Sequence, residues 1–249
     1  MIIGSIKEDL KLEKRVSLTP ETAKNIIGLG LKVCVEKNYA NHLGIDDKEY
    51  QNIGVEIKNS SNEVLNVSDL VIKVNCPSEN EIDSFKDNTI LVGMLNPTKN
   101  KNKISEIIKK KIKTFSLELL PRITRAQSMD VLSSQSNLAG YRAVIDCVSE
   151  FEKAVPMMMT AAGTVPAAKI LVIGAGVAGL QAIATAKRLG AIVSATDVRA
   201  ASKEQVESLG GKFLTVEQSE NLETAGGYAK EASEDFKQKQ AEMMKDALK

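Results

Sequence analysis

The 249-residue sequence has no tryptophan, a single histidine (His42) and only 4% aromatic residues. Stacking of bases on aromatic side chains is therefore not expected as its main activity. One histidine excludes a histidine-rich metal site, and we expect no metal. Lysine and arginine (33) barely outnumber aspartate and glutamate (32), giving a formal net charge of +1. A chain that coats nucleic acid or an anionic membrane needs a basic excess, so neither partner is expected.

Cysteines and long apolar runs are also scarce. Cys34, Cys76 and Cys147 are odd in number and far apart, which favours a reducing cytoplasmic setting and offers no metal or redox pair. The one uncharged stretch near membrane length, residues 170–186, is short for a span and is interrupted by glycines. It predicts a buried strand, a turn and a helix.

Short apolar runs alternate with helical segments along the first 120 residues. Strands are predicted near residues 2–6, 31–35, 55–57, 70–74, 90–95 and 114–117. A helix is predicted to start at Thr19-Pro20, because threonine can cap a helix and proline suits its first position. Further helices are predicted near 79–85 and 101–111. This alternation indicates a mostly parallel sheet covered on both faces.

A second series begins after residue 120. Residues 121–136 are polar and irregular, and Asn137 could cap a helix over about 138–151. After a small turn at 161–166, strands are predicted near 170–173, 192–195 and 213–216, and helices near 178–189, 203–209 and 229–249. We predict an N-terminal lobe (1–136), a connector helix and turn (137–163) and a nucleotide-binding lobe (164–249).

The second series supplies three strands, whereas a doubly wound dinucleotide-binding sheet has six. The predicted fold class is thus α/β, with two Rossmann-like doubly wound lobes joined by a long helix and the second lobe incomplete. We expect the sequence to be a fragment of a longer protein. A complete three-stranded half-domain is the alternative.

A glycine pattern, Gly174-x-Gly176-x-x-Gly179, follows a predicted strand and opens the next helix. In this context the glycines allow a tight turn, close approach of a pyrophosphate, and packing of the helix on the strand. The helix N-terminus favours that anion. Asp197, about 20 residues further on, can accept hydrogen bonds from both ribose hydroxyls and would repel a 2′-phosphate. These features predict an NAD site, while the nearby Arg199 could accommodate a 2′-phosphate.

Candidates for chemistry beside the nicotinamide lie just before the connector helix. That segment holds Arg122, Arg125, Gln127, Ser128, Asp130 and Ser133. Arginine and aspartate could pair, and glutamine and serine could fix a carboxamide. On composition alone the segment is equally an ordinary capped loop. His42, in a loop, is given no role.

Three segments together resemble one known family: residues 121–143 (PRITRAQSMDVLSSQSNLAGYRA), the glycine pattern, and residues 223–231 (ETAGGYAKE). Over the whole chain the sequence is similar to the NAD(H)-binding domain I in the alpha subunit of proton-translocating NAD(P) transhydrogenases. Lys7-Glu8 and the segment from Arg15 to Pro20 are shared more widely, with alanine dehydrogenases among others.

The resemblance implies that domain I binds NADH and passes hydride directly to NADP⁺ held by a separate domain III. A membrane domain couples this transfer to proton translocation. It implies that Arg122, Gln127, Asp130 and Ser133 lie around the nicotinamide, with Gln127 facing the partner's nucleotide. The other cofactor positions it implies are Val177 in the glycine turn, Val198 and Arg199 beside the ribose-binding Asp197, Gly227 and Tyr228 at the tip of a mobile loop, and Gln240.

The resemblance also implies a homodimer through domain I and a cytoplasmic place on the inner face of the membrane, reached through partner subunits. The fragment alone is expected to be inactive. Transfer between two nicotinamides needs no proton donor, so a site without a catalytic histidine or lysine is sufficient. Catalysis then comes mainly from holding two rings at reacting distance in a dry interface.

Two alternatives stay open. An alanine dehydrogenase-like oxidoreductase could use Arg15 and Lys73 for its substrate. Its catalytic histidine, however, would fall near Asn96, and asparagine cannot serve as that acid–base group. A non-catalytic NAD-binding module is the second alternative, and hydride transfer with domain III present would distinguish it.

Overall fold

The computed structural model describes residues 1–121, 123–216 and 233–248. The chain forms two compact units, Met1–Val131 and Leu132–Lys249. Each unit is an α/β structure with hydrophobic clusters of its own. In the described ranges every helix is too short or too polar to cross a membrane.

The first unit is built on one parallel sheet. Its strands are β1 (Ile2–Ser5), β2 (Lys32–Glu36), β3 (Glu56–Lys58), β4 (Leu70–Asn75), β5 (Ile90–Met94) and β6 (Lys113–Ser116). Its helices are α1 (Pro20–Gly28), α2 (Asp47–Asn52), α3 (Ser61–Val67), α4 (Glu79–Ser84) and α5 (Lys101–Lys109), with 3₁₀ turns at Asn41–Leu43, Leu117–Leu119 and Thr124–Met129. The strand order is β3-β2-β1-β4-β5-β6, which is the doubly wound order. The predicted parallel sheet is confirmed.

Helices cover both faces of this sheet. Val33 and Val35 of β2 belong to a buried cluster with Ala23 of α1 and Tyr50 of α2. Cys34, between them, belongs to the cluster that includes residues of α3, α4 and α5. Because successive strand residues point to opposite faces, the two clusters lie on opposite sides of the sheet.

Two buried tyrosines fix the start of α1. The rings of Tyr39 and Tyr50 meet edge to face, with centroids 5.8 Å apart. The Tyr39 hydroxyl accepts from the Leu18 N–H (3.2 Å), and the Tyr50 hydroxyl donates to the Leu18 carbonyl (2.8 Å). The next residue, Thr19, accepts from the Thr22 N–H at 3.2 Å as the helix cap. The predicted helix start is therefore confirmed.

The second unit contains a hairpin and a smaller parallel sheet. Its strands are β7 (Met158–Thr160), β8 (Gly163–Val165), β9 (Lys169–Ile173), β10 (Ile192–Thr196) and β11 (Lys212–Phe213). Its helices are α6 (Val131–Glu150), which opens the unit, α7 (Val177–Arg188), α8 (Ser202–Ser208) and α9 (Glu234–Ala247). β7 and β8 are antiparallel, and the parallel sheet has the order β11-β10-β9. Among the described residues, β9 pairs with β10 alone. Residues of β9 and α6 line an apolar groove of about 300 Å³.

The structure corrects the sequence interpretation around α6. The prediction of a helix capped by Asn137 was wrong, because α6 already begins at Val131. No glycine or proline occurs between residues 122 and 139, so nothing interrupts the helix there. Asn137 instead donates from Nδ2 to Gln181 Oε1 at 3.1 Å. The three-part division at residues 136 and 163 stays a prediction.

Candidate functional site

The glycine pattern forms the turn between β9 and α7. β9 ends at Ile173, Gly174 has a φ of +92°, and Gly176 is the N-cap of α7. The positive φ is what a residue with a side chain rarely adopts. A Cβ on Gly179 would lie 1.8 Å from the Gly174 carbonyl oxygen, so only glycine lets the helix pack this closely on the turn. The predicted roles of these two glycines in shaping the turn are confirmed.

The N-terminus of α7 leaves backbone amides without helical partners beside the turn. The Leu180 N–H donates to the Gly176 carbonyl at 2.8 Å, and the amides before it point out of the helix end. Among the residues that the structure describes, a Cβ on Gly176 would meet only Nη2 of Arg199 within 4 Å, at 3.9 Å. Outward-pointing amides with room above them are suited to an anion such as a pyrophosphate.

Asp197 lies beside the turn because β9 and β10 are neighbours. The Gly174 N–H donates to the Thr196 carbonyl at 2.8 Å, which joins the ends of the two strands. Asp197 follows directly, and its Oδ2 accepts from the Ala175 N–H at 2.7 Å. The carboxylate thus holds the turn in shape, and its binding to an adenosine ribose stays a prediction.

Arg199 forms a forked ion pair with the same carboxylate. Its Nε donates to Asp197 Oδ1 and its Nη2 to Oδ2, each at 2.9 Å, and its backbone N–H adds a bond of 2.8 Å to Oδ1. The side chain of Asp197 is 7% exposed and that of Arg199 21%. Burial opposes ionisation of Asp197, but the bonds from Arg199 and Ala175 outweigh it and hold the pKa of the carboxyl below its ordinary value. Asp197 is therefore an ionised acceptor at neutral pH.

The second unit brings together most of the predicted cofactor positions. They are Gly174 and Gly176 in the β9–α7 turn, Val177 and Gly179 in the first turn of α7, and Asp197, Val198 and Arg199 just after β10. Gln240 is half-buried on α9, and no hydrogen bond joins it to the turn within the described ranges of the chain. Arg122, Gly227 and Tyr228 lie outside the described residues. Across the residues that the structure describes, no group of His, Cys, Asp and Glu side chains is arranged to hold a metal ion.

The residues predicted to lie on the nicotinamide side flank the boundary of the two units. Gln127 is exposed in the 3₁₀ turn Thr124–Met129, and its carbonyl accepts from the Asp130 N–H at 3.2 Å. Asp130 is half-buried at the end of the first unit. Ser133 is half-buried in the first turn of α6, in the second unit. Their place around a nicotinamide stays a prediction.

A buried charged cluster at the end of β4 was missed by the sequence analysis. The side chain of Lys73 is 4% exposed, and its Nζ lies 3.0 Å from Glu81 Oε1 and 3.8 Å from Glu8 Oε2. Burial raises the pKa of Glu8, against the opposing pull of Lys73. The available signal was a single lysine in the otherwise apolar run Leu-Val-Ile-Lys-Val of β4. Such a lysine must find an anion when the strand is buried.

This cluster bears on the alanine dehydrogenase alternative. Arg15 is also paired, with Nε 2.8 Å from Glu13 Oε1 and Nη2 2.6 Å from Oε2. The hydrogen bond from Arg15 lowers the pKa of Glu13 to about 2. Asn96 has a φ of +45°, and its N–H donates to Glu118. Both cations that this alternative assigns to a substrate, Arg15 and Lys73, are already neutralised by carboxylates of the chain.

Comparison with known proteins agrees with this geometry. The chain matches the models for alanine dehydrogenase/PNT, N-terminal domain, over residues 4–139, and alanine dehydrogenase/PNT, C-terminal domain, over residues 143–248. An NAD(P) transhydrogenase subunit alpha of Rhodospirillum rubrum, named as the first piece of a divided subunit, is 52% identical over 100% of this chain and 67% of the relative. The chain thus spans about two thirds of the length of that relative.

Two solved structures are similar to the chain. The transhydrogenase from Sinorhizobium meliloti has a TM-score of 0.83 and 50% identity, covering 87% of this chain and 64% of that one. An L-alanine dehydrogenase has a TM-score of 0.73 and 23% identity, covering 86% and 60%, and shares the fold alone. The α/β fold with Rossmann-like lobes is confirmed. This chain therefore belongs to the alanine dehydrogenase/PNT family and, within it, to the NAD(P) transhydrogenase alpha subunits, as shown by its glycine turn, its match to both domain models and its sequence identity to the transhydrogenases.

Proposed function

We propose that this chain is the NAD(H)-binding component of a proton-pumping transhydrogenase. In this role, hydride passes directly between NADH on this chain and NADP⁺ held by a partner domain. The observation that carries the proposal is the glycine turn hydrogen-bonded to Asp197, in a chain 52% identical to a transhydrogenase alpha subunit.

The turn and Asp197 fit NADH in two ways. The amides at the start of α7 can donate to a pyrophosphate, and glycine at position 176 adds no side chain to obstruct it. The ionised Asp197 can accept from the 2′- and 3′-hydroxyls of the adenosine ribose. A 2′-phosphate would bring negative charge against that carboxylate, so this site selects NADH over NADPH.

Residues 122–133 are proposed to orient the nicotinamide. NADH supplies the hydride when it is bound. We assign Asp130 and Ser133, with Arg122, to holding the carboxamide end in one orientation. The resemblance assigns Gln127 to the side that faces the partner's nucleotide, and its exposed side chain is compatible with that role. Because both reacting groups are nicotinamides, positioning and exclusion of water can supply the catalysis without a proton donor.

The proposal requires partners that carry the remaining steps of the reaction. They are an NADP(H)-binding domain III and a membrane domain that couples hydride transfer to proton translocation. A second copy of this chain would form a homodimer through domain I. The chain is then peripheral on the cytoplasmic face of the membrane. The relatives support a divided assembly because their names describe a subunit alpha or a numbered piece of one.

The test is a transfer assay with purified components. The chain is titrated with NADH and then mixed with an NADP(H)-binding domain III protein and an NADP⁺ analogue of shifted absorbance. We expect NADH binding, hydride transfer with domain III, and none from the chain alone, because the acceptor is held by the partner. Binding without transfer would favour a non-catalytic NAD-binding module. Alanine-dependent formation of NADH would instead favour an alanine dehydrogenase.

A further inference from the structure

We propose that the Arg199 side chain competes with the adenosine ribose for the Asp197 carboxylate. Arg199 is hydrogen-bonded to this carboxylate until a bound nucleotide displaces it. The inference rests on the proposed binding of NAD(H) and adds an exchange step to it. It makes Arg199 a residue that sets affinity for the ribose, through Asp197.

The first argument is that the acceptor capacity of Asp197 is already used. Oδ1 accepts from the backbone N–H and the Nε of Arg199, at 2.8 and 2.9 Å. Oδ2 accepts from the Ala175 N–H and from Nη2 of Arg199, at 2.7 and 2.9 Å. A carboxylate oxygen has about two lone-pair sites. Two ribose hydroxyls therefore cannot both bind unless some of these donors leave.

The second argument is that only the guanidinium can leave. The Ala175 amide is fixed by the turn, and the Arg199 amide belongs to the backbone that follows β10. The Arg199 side chain is 21% exposed, so part of its guanidinium or stem already contacts solvent, and its side-chain torsions allow it to move away from the carboxylate. Its bonds to Asp197 are the ones that a ribose would replace.

The third argument concerns where the guanidinium goes. Its Nη2 lies 3.9 Å from the position of a Cβ on Gly176, which places it over the turn assigned to the pyrophosphate. A displaced Arg199 stays near that anion and can bind it. A ligand without phosphates offers no such compensation. Competition by Arg199 therefore lowers the affinity for adenosine more than the affinity for NADH.

The experiment compares ligands that differ only in the ribose hydroxyls. Adenosine and 2′,3′-dideoxyadenosine are titrated into the wild-type chain and Arg199→Ala, by calorimetry and ligand-detected NMR. We expect Arg199→Ala to bind adenosine about fivefold more tightly, the size of one partly exposed ion pair, and dideoxyadenosine no more tightly than wild type. Arg188→Ala, on the exposed last turn of α7, removes the same charge from the same unit and should change neither.

Unchanged or weaker adenosine binding by Arg199→Ala would overturn the exchange, as would an equal gain for dideoxyadenosine. If circular dichroism shows that Arg199→Ala is unfolded, Arg199→Gln gives the same comparison with a neutral side chain of similar length. A wild-type chain that binds neither NADH nor adenosine would overturn the proposed function as well. NADH binding without the hydroxyl-dependent gain would overturn the exchange alone.

Discussion

Asp197 combines two tasks in one nearly buried side chain. Its Oδ2 fixes the Ala175 amide at 2.7 Å, and its negative charge is the feature suited to ribose hydroxyls. Bonds to a charged acceptor are stronger than bonds between neutral groups. The charge can be removed with little change in shape, since asparagine keeps an oxygen that can accept from Ala175.

We therefore expect Asp197→Asn to weaken NADH binding about tenfold, the magnitude of a hydrogen bond to a charged group. Titration calorimetry measures this directly. Glu207→Gln, an exposed acid on α8, is the matched control and should bind NADH as the wild type does. Equal affinities of Asp197→Asn and wild type would argue against a ribose at this carboxylate.

Gln127 offers a different test because its side chain is exposed and its removal disturbs no core. We expect Gln127→Asn to slow hydride transfer to the domain III nucleotide much more than it weakens NADH binding. The shorter amide misplaces a contact that matters mainly when the two rings meet. Thr124→Ala, exposed at the start of the same 3₁₀ turn, should leave both quantities near the wild-type values. Parallel losses of transfer and binding in Gln127→Asn would contradict a positioning role.

At the scale of elements, the close contact of α6 with α7 depends on one glycine. A Cβ on Gly140 would lie 2.0 Å from the Ala178 carbonyl oxygen, a backbone atom that cannot move alone. Helix α6 thus packs directly on the first turn of α7, where the amides for the pyrophosphate are found.

Gly140→Ala should therefore lower the free energy of unfolding by about 1–3 kcal/mol, because overpacking forces the helices apart. Denaturant unfolding measures the change. Gly28→Ala is the matched control: it is also helical, and its Cβ would have no neighbour within 4 Å among the described residues. That variant should be neutral or more stable by up to about 1 kcal/mol. Similar changes in the free energy of unfolding for the two variants would exclude the close contact between α6 and α7 at Gly140.

The elements also show what sequence can predict. Buried parallel strands appear as apolar runs, so the predicted strands match most observed ones closely. The glycine turn and Asp197 were predictable because a motif with fixed spacing describes them. Helices α2 and α3 were missed because they are short, with six and seven residues, and depend on caps: Asp46 accepts from the Glu49 N–H, and Ser60 from the Glu63 N–H. The pairing of Lys73 with Glu8 depends on tertiary contacts between distant segments, which local patterns do not contain.

At the scale of the whole molecule, two compact units with separate cores can respond separately to a ligand. The predicted pyrophosphate and ribose contacts all lie in the second unit. A ligand at 100 times its dissociation constant stabilises the unit that binds it by about 2.7 kcal/mol.

We expect saturating NADH to slow amide hydrogen exchange in β9, α7 and β10, and to leave the central strands β1 and β4 of the first unit unchanged. Hydrogen exchange followed by mass spectrometry measures both regions in one sample, so the first unit is its own control. Uniform slowing in both units would show that they open together and that the nucleotide stabilises the chain as one body.

The hydrogen bond from Ala175 to Asp197 restricts how coenzyme preference can evolve. A lineage that replaced this acid by a residue without a side-chain oxygen, to admit a phosphorylated ribose, would also release the amide that shapes the phosphate-binding loop. A change of coenzyme selectivity would therefore also require a new hydrogen-bond acceptor for the Ala175 amide, so that the loop keeps its geometry. Single substitutions at this position should therefore yield weak binders of both coenzymes before any efficient NADPH-dependent descendant arises.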